Sequence, residues 1–462
     1  MNIIILGAGR VGESVAESLV SEQNDITVID QDPERLRLLE ERLDLRGVVG
    51  NGIQPSVLQE AGVQDCDMLI ACAALDESNL VVCKVAHDLF NVPATIARLR
   101  SPEFKEGDAL LDKGGFAVDH VICPEESVMS YIQKLIAYPE ALQVLEFAEG
   151  AVSLIAVRAS AGGALVGHTI GEFRDKFPQA EMRVVALYRM DTEIDTVKTT
   201  RILPGDEIFV LAATDKIQLV LAAIHNRDKP VQSVMIAGGG KVGLRLARSL
   251  VGQCQVKLIE RDKKRCEYLA SQLPPNMLVL RGDGTDEDLL LDENVGDMDL
   301  FLALTSDDED NIMSSMLAKR LGAKRVMALI NRKAYAEMMQ GSTIDIAISP
   351  SQTVIGELLA HMRRGDVAAV HSLRRGAAEA IEGIARGDRK TSKLVGRRIE
   401  EIRLPKGAQF GAIARGVGPQ AQVYMPHHDF VIQADDHVVI FLPNKRMVRD
   451  VEKLFQVSAT FF

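Results

Sequence analysis

The chain has 462 residues, 47% of them hydrophobic and 26% charged, with a formal net charge of −12; this is the composition of a globular protein with ample core material. The acidic balance argues against nucleic acid as a partner, because a phosphate backbone needs a basic footprint. No apolar run approaches the roughly 20 residues that cross a bilayer, and the six cysteines (Cys66, Cys72, Cys83, Cys123, Cys254, Cys266) show no CxxC pair or zinc-type spacing, so they read as reduced core residues.

In MNIIILGAGRVGESV a strand is expected over Ile3 to Leu6, leaving no room for a cleavable leader and predicting a cytoplasmic product. The run meets Gly7, Gly9 and Gly12 and then a helical pattern through Val15, Ala16, Leu19 and Val20. Strand, tight turn and helix form the setting in which GxGxxG reads as a dinucleotide loop. Gly7 permits the bend, Gly9 lets the backbone approach a pyrophosphate, and Gly12 lets the helix close on the strand, with phosphates on the unpaired amides of the helix start. A second apolar run, Ile26 to Ile29, ends in Asp30, about 20 residues beyond the glycines, where a carboxylate accepts both hydroxyls of an adenosine ribose.

Next come GNGIQPSVLQEAGV (50–63), a fourth strand with an acidic loop in CDMLIACAALDESN (66–79), and a fifth strand from Ala94 to Leu99. After Pro124, the spacing in SVMSYIQKLIAYPEAL predicts a crossover helix serving as a hinge or dimer seam. VSLIAVRASAGGALVGHTI, MRVVALYRM and GDEIFVLAA then read as short β-rich segments between turns.

From VQSVMIAGGGKVGLRL the same order returns at an offset of 231 residues, within a residue or two, along most of the chain. Asp30 maps to Glu260, GNG to GDG at Gly282, the acidic loop to TSDDEDN at 305–311, and Pro124 to Pro350, which precedes TVIGELLAHMRRGDVAAV. LVGHTI is matched by LVGRRI, and Asp206 by Asp435. The expected fold is α/β, with two tandem Rossmann-like doubly wound parallel-sheet domains, each followed by a small α+β lobe. Boundaries fall at 1–124, 125–228, 232–350 and 351–462, with His225 to Gln232 as the polar linker.

These motifs, duplicated in this order, resemble the regulatory RCK family, also called KTN domains, in its tandem-repeat form. The resemblance rests on GAGRVG with VID at the next strand end, GNG, DESN, IARLRSPEF, and LVGxxI in each lobe. It implies a peripheral subunit on the inner face of the plasma membrane, attached to the potassium-translocating subunit of a Trk-type system. It also implies a homo-oligomer, a tetramer, that binds NAD(H), ATP or ADP. Carried onto this chain, the first phosphate loop is Gly7, Ala8, Gly9, Arg10, Val11 and Gly12, with Asp30 on the ribose and Gln31 beside the adenine. Asn51, Gly52, Ala73 and Ala74 border it, and Arg98 and Arg100 are candidates to reach phosphates, on the same or a neighbouring subunit. The second site is Gly238, Gly240, Lys241, Val242, Gly243, Glu260, Gly282, Asp283 and Thr305. Thr305 and Ser306 replace Ala73 and Ala74 there, and Leu329 and Asn331 stand at the places of Arg98 and Arg100.

An NAD-dependent dehydrogenase would share the first motif, but it spends the rest of its chain on a substrate domain. Here that length is a second nucleotide fold. His168, His225 and His427-His428, the last pair in an expected hairpin, lack further ligands for zinc. The acidic loops Asp283 to Asp288 and Asp307 to Asp310 read as helix caps rather than metal ligands, and Arg363-Arg364, Arg374-Arg375 and Arg397-Arg398 as solvated edges or subunit contacts. No catalytic residue and no metal is expected.

Overall fold

A computed structural model of the chain describes residues 1–20, 24–101, 103–104, 107–176, 181–190, 192–224, 230–339, 343–362, 366–373 and 378–457. His225 to Lys229 of the expected linker, Arg363-Arg364 and Arg374-Arg375 lie outside the described residues. The chain packs as two compact units, one of residues 1–128, 330–333 and 348–355, the other of 129–329, 334–347 and 356–462.

The first unit is built on six strands, β1 (Asn2–Leu6), β2 (Asp25–Asp30), β3 (Arg46–Val49), β4 (Met68–Ala71), β5 (Ala94–Arg98) and β6 (His120–Ile122), in the order β3-β2-β1-β4-β5-β6. All pair in parallel. Ile3 to Leu6 and Met68 to Ala71 are buried throughout, as befits central strands covered on both faces. The connecting helices are α1 (Arg10–Val20), α2 (Pro33–Glu40), α3 (Pro55–Glu60) and α4 (Asp76–Phe90), and α5 (Pro124–Ala137) follows β6. The strand order reverses between β1 and β4, which opens a crevice at their carboxyl ends.

The second unit repeats this sheet. Its strands β12 (Ser233–Ala237), β13 (Gln255–Glu260), β14 (Leu278–Arg281), β15 (Leu300–Ala303) and β16 (Arg325–Leu329), with β17 (Ile346–Ile348), whose last residue counts with the first unit, run in the order β14-β13-β12-β15-β16-β17. Helices α8 (Lys241–Ser249), α9 (Lys263–Gln272), α10 (Glu287–Asp292) and α11 (Asp308–Arg320) accompany it, while α12 (Lys333–Met339) and α13 (Pro350–Met362) each hold residues of both units.

Two five-stranded antiparallel sheets complete this unit. One holds β7 (Ala141–Phe147), β8 (Val152–Arg158), β9 (Arg183–Arg189), β10 (Thr192–Ile194) and β11 (Glu207–Ala213), with α6 (Ile170–Lys176) and α7 (Ile217–Ile224). The other holds β18 (Val367–Leu373), β19 (Ala378–Ile384), β20 (Gln409–Arg415), β21 (Gln422–Tyr424) and β22 (Asp436–Leu442), with α14 (Val448–Glu452). Their orders, β10-β9-β11-β8-β7 and β18-β19-β22-β20-β21, are the same topology read from opposite edges.

The two lobe sheets share one core, in which Phe147, Phe209 and Leu211 pack with Ala378, Ala412 and Phe441. Polar ties cross the same seam. Arg183 Nη1 donates to the Phe410 carbonyl at 2.5 Å, Gln409 Nε2 to that of Val185 at 2.6 Å, and the buried Glu382 accepts the Ala148 amide at 2.9 Å. His371 lies 3.0 Å from the Glu146 carbonyl and edge-on to Phe147. Burial is the main force lowering its pKa below 6.5, helped by Lys134 and opposed by its bond to Glu146 and by the charges of Glu382 and Glu146. A histidine buried neutral must charge on unfolding in acid, so its stabilising contribution is whole above pH 6.5 and fades as the pH falls. Chemical denaturation at pH 7.5 and 5.5 should show a loss that His371→Gln reduces; an equal loss in both proteins would refute the assignment.

Three expectations change. The stretches taken as crossover helices hold α5, which ends at Ala137, and α13, described to Met362, and their last apolar residues begin β7 and β18; Pro139 excludes continued helix in the first. The counterpart of Asp206 is Asp436, not Asp435. Asp206 pairs with Arg189 through two 2.8 Å bonds and accepts the Leu203 amide, while Asp436 pairs with Arg415 at 2.9 Å and accepts the Gln433 amide. Asp435 instead takes a left-handed φ of 64°, as Gly205 does at 87°. His427 and His428 lie in no hairpin, because β21 pairs with β20 and β22 lies between β20 and β19.

Candidate functional site

Each parallel sheet ends its first strand in a glycine turn, and the three glycines divide by role. Gly7 and Gly238 have φ of 103° and 112°, and a Cβ there would meet backbone of Cys72 at 2.9 Å or of Leu304 at 2.8 Å. A Cβ on Gly12 or Gly243 would overlap the carbonyl oxygen of Gly7 or Gly238. These four serve the fold. Gly9 and Gly240 differ, since a Cβ would meet nothing within 4 Å and neither has positive φ. The protein itself does not need glycine at these two positions. The space above them, at the amino ends of α1 and α8, fits close approach by a phosphate group to free amides.

The strand-end acids organise these loops. Asp30 accepts the Ala8 amide at 2.6 Å and the Asp32 amide at 2.9 Å. Glu260 accepts the Gly239 and Asp262 amides, both at 3.0 Å. Asp32 and Asp262 in turn cap α2 and α9. After β3 and β14, the Asn51 side chain accepts the Ile53 amide at 3.3 Å and the Asp283 side chain that of Thr285 at 2.8 Å. The acidic stretches hold caps as expected, with Asp286 on α10 and Asp307 on α11.

Fully buried asparagines bind the fourth strand's end to the fifth. Asn79 accepts the Ala73 amide at 2.8 Å and donates to the Arg98 carbonyl at 2.7 Å; Asn311 does the same with Thr305 at 2.9 Å and Leu329 at 2.8 Å. The sequence shows these asparagines only as openers of a helix. Their amide groups in fact fix where Ala73, Thr305 and Arg98 stand along the crevice.

At the far side of the first site, Arg98 and Arg100 converge on Glu125 of α5. Arg98 Nη2 is 3.9 Å and Arg100 Nε 3.6 Å from the same carboxylate oxygen. Asp76 accepts the backbone amides of Arg100 and Ser101 at 3.0 Å. Burial, then the neighbouring Arg100, presses the Arg98 pKa below its ordinary value, against the pull of Glu125. The buried Arg98 Nε has no hydrogen-bond partner among the described residues. Two guanidinia around one carboxylate are a natural place for an added anion. Only the fold brings Glu125 to the arginines, and no sequence motif marks it.

In the second unit the crevice is a cleft of about 400 Å³ lined by Gly238, Gly240, Glu260, Asp283, Thr305 and their neighbours. Gly282 borders it, whereas Leu329 is buried. Lys241 and Val242 stand in the first turn of α8, and Arg10 and Val11 in that of α1; Gln31 and Ala74 are exposed, Gly52 is buried.

The TrkA-N domain family matches residues 3–124 and 234–350, and the TrkA-C domain family residues 154–225 and 389–456. Proteins called Trk system potassium uptake protein TrkA from Vibrio alginolyticus and Halomonas elongata are 51% and 49% identical, covering all of this chain and all of their own. Among solved structures, the GsuK RCK domain superposes with a TM-score of 0.61 at 16% identity, covering 98% of this chain and 94% of its own. The GsuK channel bound to NAD gives 0.60 at 16% identity, over 98% and 78%. These neighbours share the fold. Matched from end to end at about half identity, the chain belongs to the TrkA family.

Proposed function

We propose that the chain is the nucleotide-responsive regulatory subunit of a Trk-type potassium transport system. It binds an adenine nucleotide, NAD(H), ATP or ADP, at its glycine loops and shifts the transport subunit between states of different activity. The observation that carries this reading is the open space above Gly9 and Gly240, which the protein leaves with no conformational or steric reason of its own. No helix among the described residues is long and apolar enough to cross a membrane. Attachment to the inner membrane face therefore goes through the potassium-translocating partner, to which the chain presents itself as a homotetramer.

A ligand moves such an equilibrium only by its differential affinity for the two states. Phosphates of different number, set against Arg98 and Arg100, supply that difference. Potassium flux through the reconstituted transport subunit should depend on this chain and differ between ATP and ADP. Asp30→Ala removes a charged acceptor for the ribose hydroxyls, worth roughly 1.5–3 kcal/mol, and should weaken nucleotide binding about ten- to hundredfold while reducing the flux response. Flux that is identical with and without the chain, under every nucleotide, would sink the reading.

A further inference from the structure

The two sites differ in a way that the shared fold makes easy to see. Asp30 and Glu260 end equivalent strands and face Val49 and Arg281 on the next. Gln31 therefore corresponds to Arg261, and Asn51 to Asp283. Asn79 and Asn311 make matching bonds, so the residues before them, Ser78 and Asp310, also correspond. Three neutral side chains in the first site are thus three charged ones in the second. There they join up: Arg261 Nη2 lies 2.8 Å from Asp283 Oδ2 and 2.9 Å from Asp310 Oδ2, spanning the loops after β13 and β14 and the start of α11. Burial works to raise the Asp283 carboxyl, but Arg261 and Thr285 outweigh it and hold it below its usual range.

The charge balance around the cleft has a clear sign. Among the residues that line it, Glu260, Asp283, Asp307 and Asp310 stand against Arg261, already shared by two of them, with Lys241 nearby in the first turn of α8. The arginines that gather at the first site have Leu329 and Asn331 in their places. A free triphosphate entering this cleft meets like charge, and the guanidinium that lines it is already shared, whereas a pyrophosphate diester needs little beyond the amino end of α8.

We propose that the second glycine-loop cleft selects adenine nucleotides of low net charge, with a diesterified pyrophosphate, and rejects free triphosphates, and that the Arg261–Asp283–Asp310 cluster is the selecting element. This rests on the reading of the glycine loops as nucleotide sites. The two halves of the chain then sense different ligands.

Calorimetric titration of the full chain with NAD+ and with ATP, in chelator so that ATP keeps its charge, tests this. The first site is closed by Gly9→Glu, whose side chain enters open space. In that background NAD+ should bind once per chain, at least tenfold tighter than ATP, and adding Gly240→Glu should abolish it. Writing the first site's neutral trio into the second (Arg261→Gln, Asp283→Asn, Asp310→Ser) should shrink the preference at least threefold, with the melting temperature confirming the fold. ATP binding as tightly as NAD+ in the Gly9→Glu chain, or a preference untouched by the neutral trio, overturns the proposal. So does binding of neither ligand there while the unaltered chain still binds, an outcome that leaves the first site standing. Failure of the unaltered chain to bind any adenine nucleotide removes the broader reading and this one with it.

Discussion

Gly12→Ala should destabilise the first unit by about 3 kcal/mol, while Gly9→Ala, three residues away, should leave stability unchanged or slightly raised. At Gly12 the new methyl would lie far inside van der Waals contact of the backbone carbonyl oxygen of Gly7, so α1 must pull away from β1. The packed side chains Val15, Ala16 and Leu19 would move with it, and no rotamer change relieves the clash. At Gly9 the methyl meets nothing and the backbone needs no positive φ. Restricting the unfolded chain there favours folding by roughly 0.4–1 kcal/mol. The binding outcomes should be reversed in emphasis, with Gly9→Ala well folded and weakened toward nucleotide. Urea denaturation together with calorimetric titration separates the two effects. Equal destabilisation by both substitutions, or full affinity in Gly9→Ala, would contradict the division of roles among the glycines.

Asp206→Ala and Asp436→Ala should each cost about 1.5–3 kcal/mol, the usual worth of a charged acceptor, because each arginine partner is partly exposed and can turn to water. Both carboxylates are almost wholly buried, at 0% and 1% exposure. Each gathers an arginine from the neighbouring strand and an amide from the preceding turn. Loss of Asp206 takes from Arg189 the carboxylate that raises its pKa, and frees the turn that leads into β11. Asp435→Gly provides the contrast, because that side chain is 70% exposed and its backbone already adopts a left-handed conformation that glycine tolerates. Thermal and urea unfolding of the three variants should place Asp435→Gly near the parent protein. A large loss in Asp435→Gly with little in Asp436→Ala would restore the pairing suggested by the bare sequence offset.

That one-residue slip shows where sequence reasoning reaches its limit. Local periods carry the parallel sheets well: a buried run, a glycine turn and an acid at the next strand end lie within about 20 residues of one another. The 231-residue offset then doubles the signal. The lobes are less legible because their strands are joined by pairing between distant residues, such as Val152 with Ala213, which no short period records. For the same reason the sequence pattern runs past the end of α5 and past the described part of α13, since apolar residues of helix and following strand form one continuous pattern. Glu125 beside Arg98, and Asp310 beside Arg261, are meetings made by topology alone.

The lobe core formed by Phe147, Phe209 and Phe441 has a bearing on how such a chain can evolve. Two separate copies of a half-length protein would meet this way only at sufficient concentration, and every substitution would appear on both sides of the seam. Here the partners are tethered, so their local concentration is set by the chain and dilution cannot part them while it stays folded. The seam is also released from symmetry. Glu382 grips Ala148 from one side only, a contact that two identical copies would be obliged to make twice.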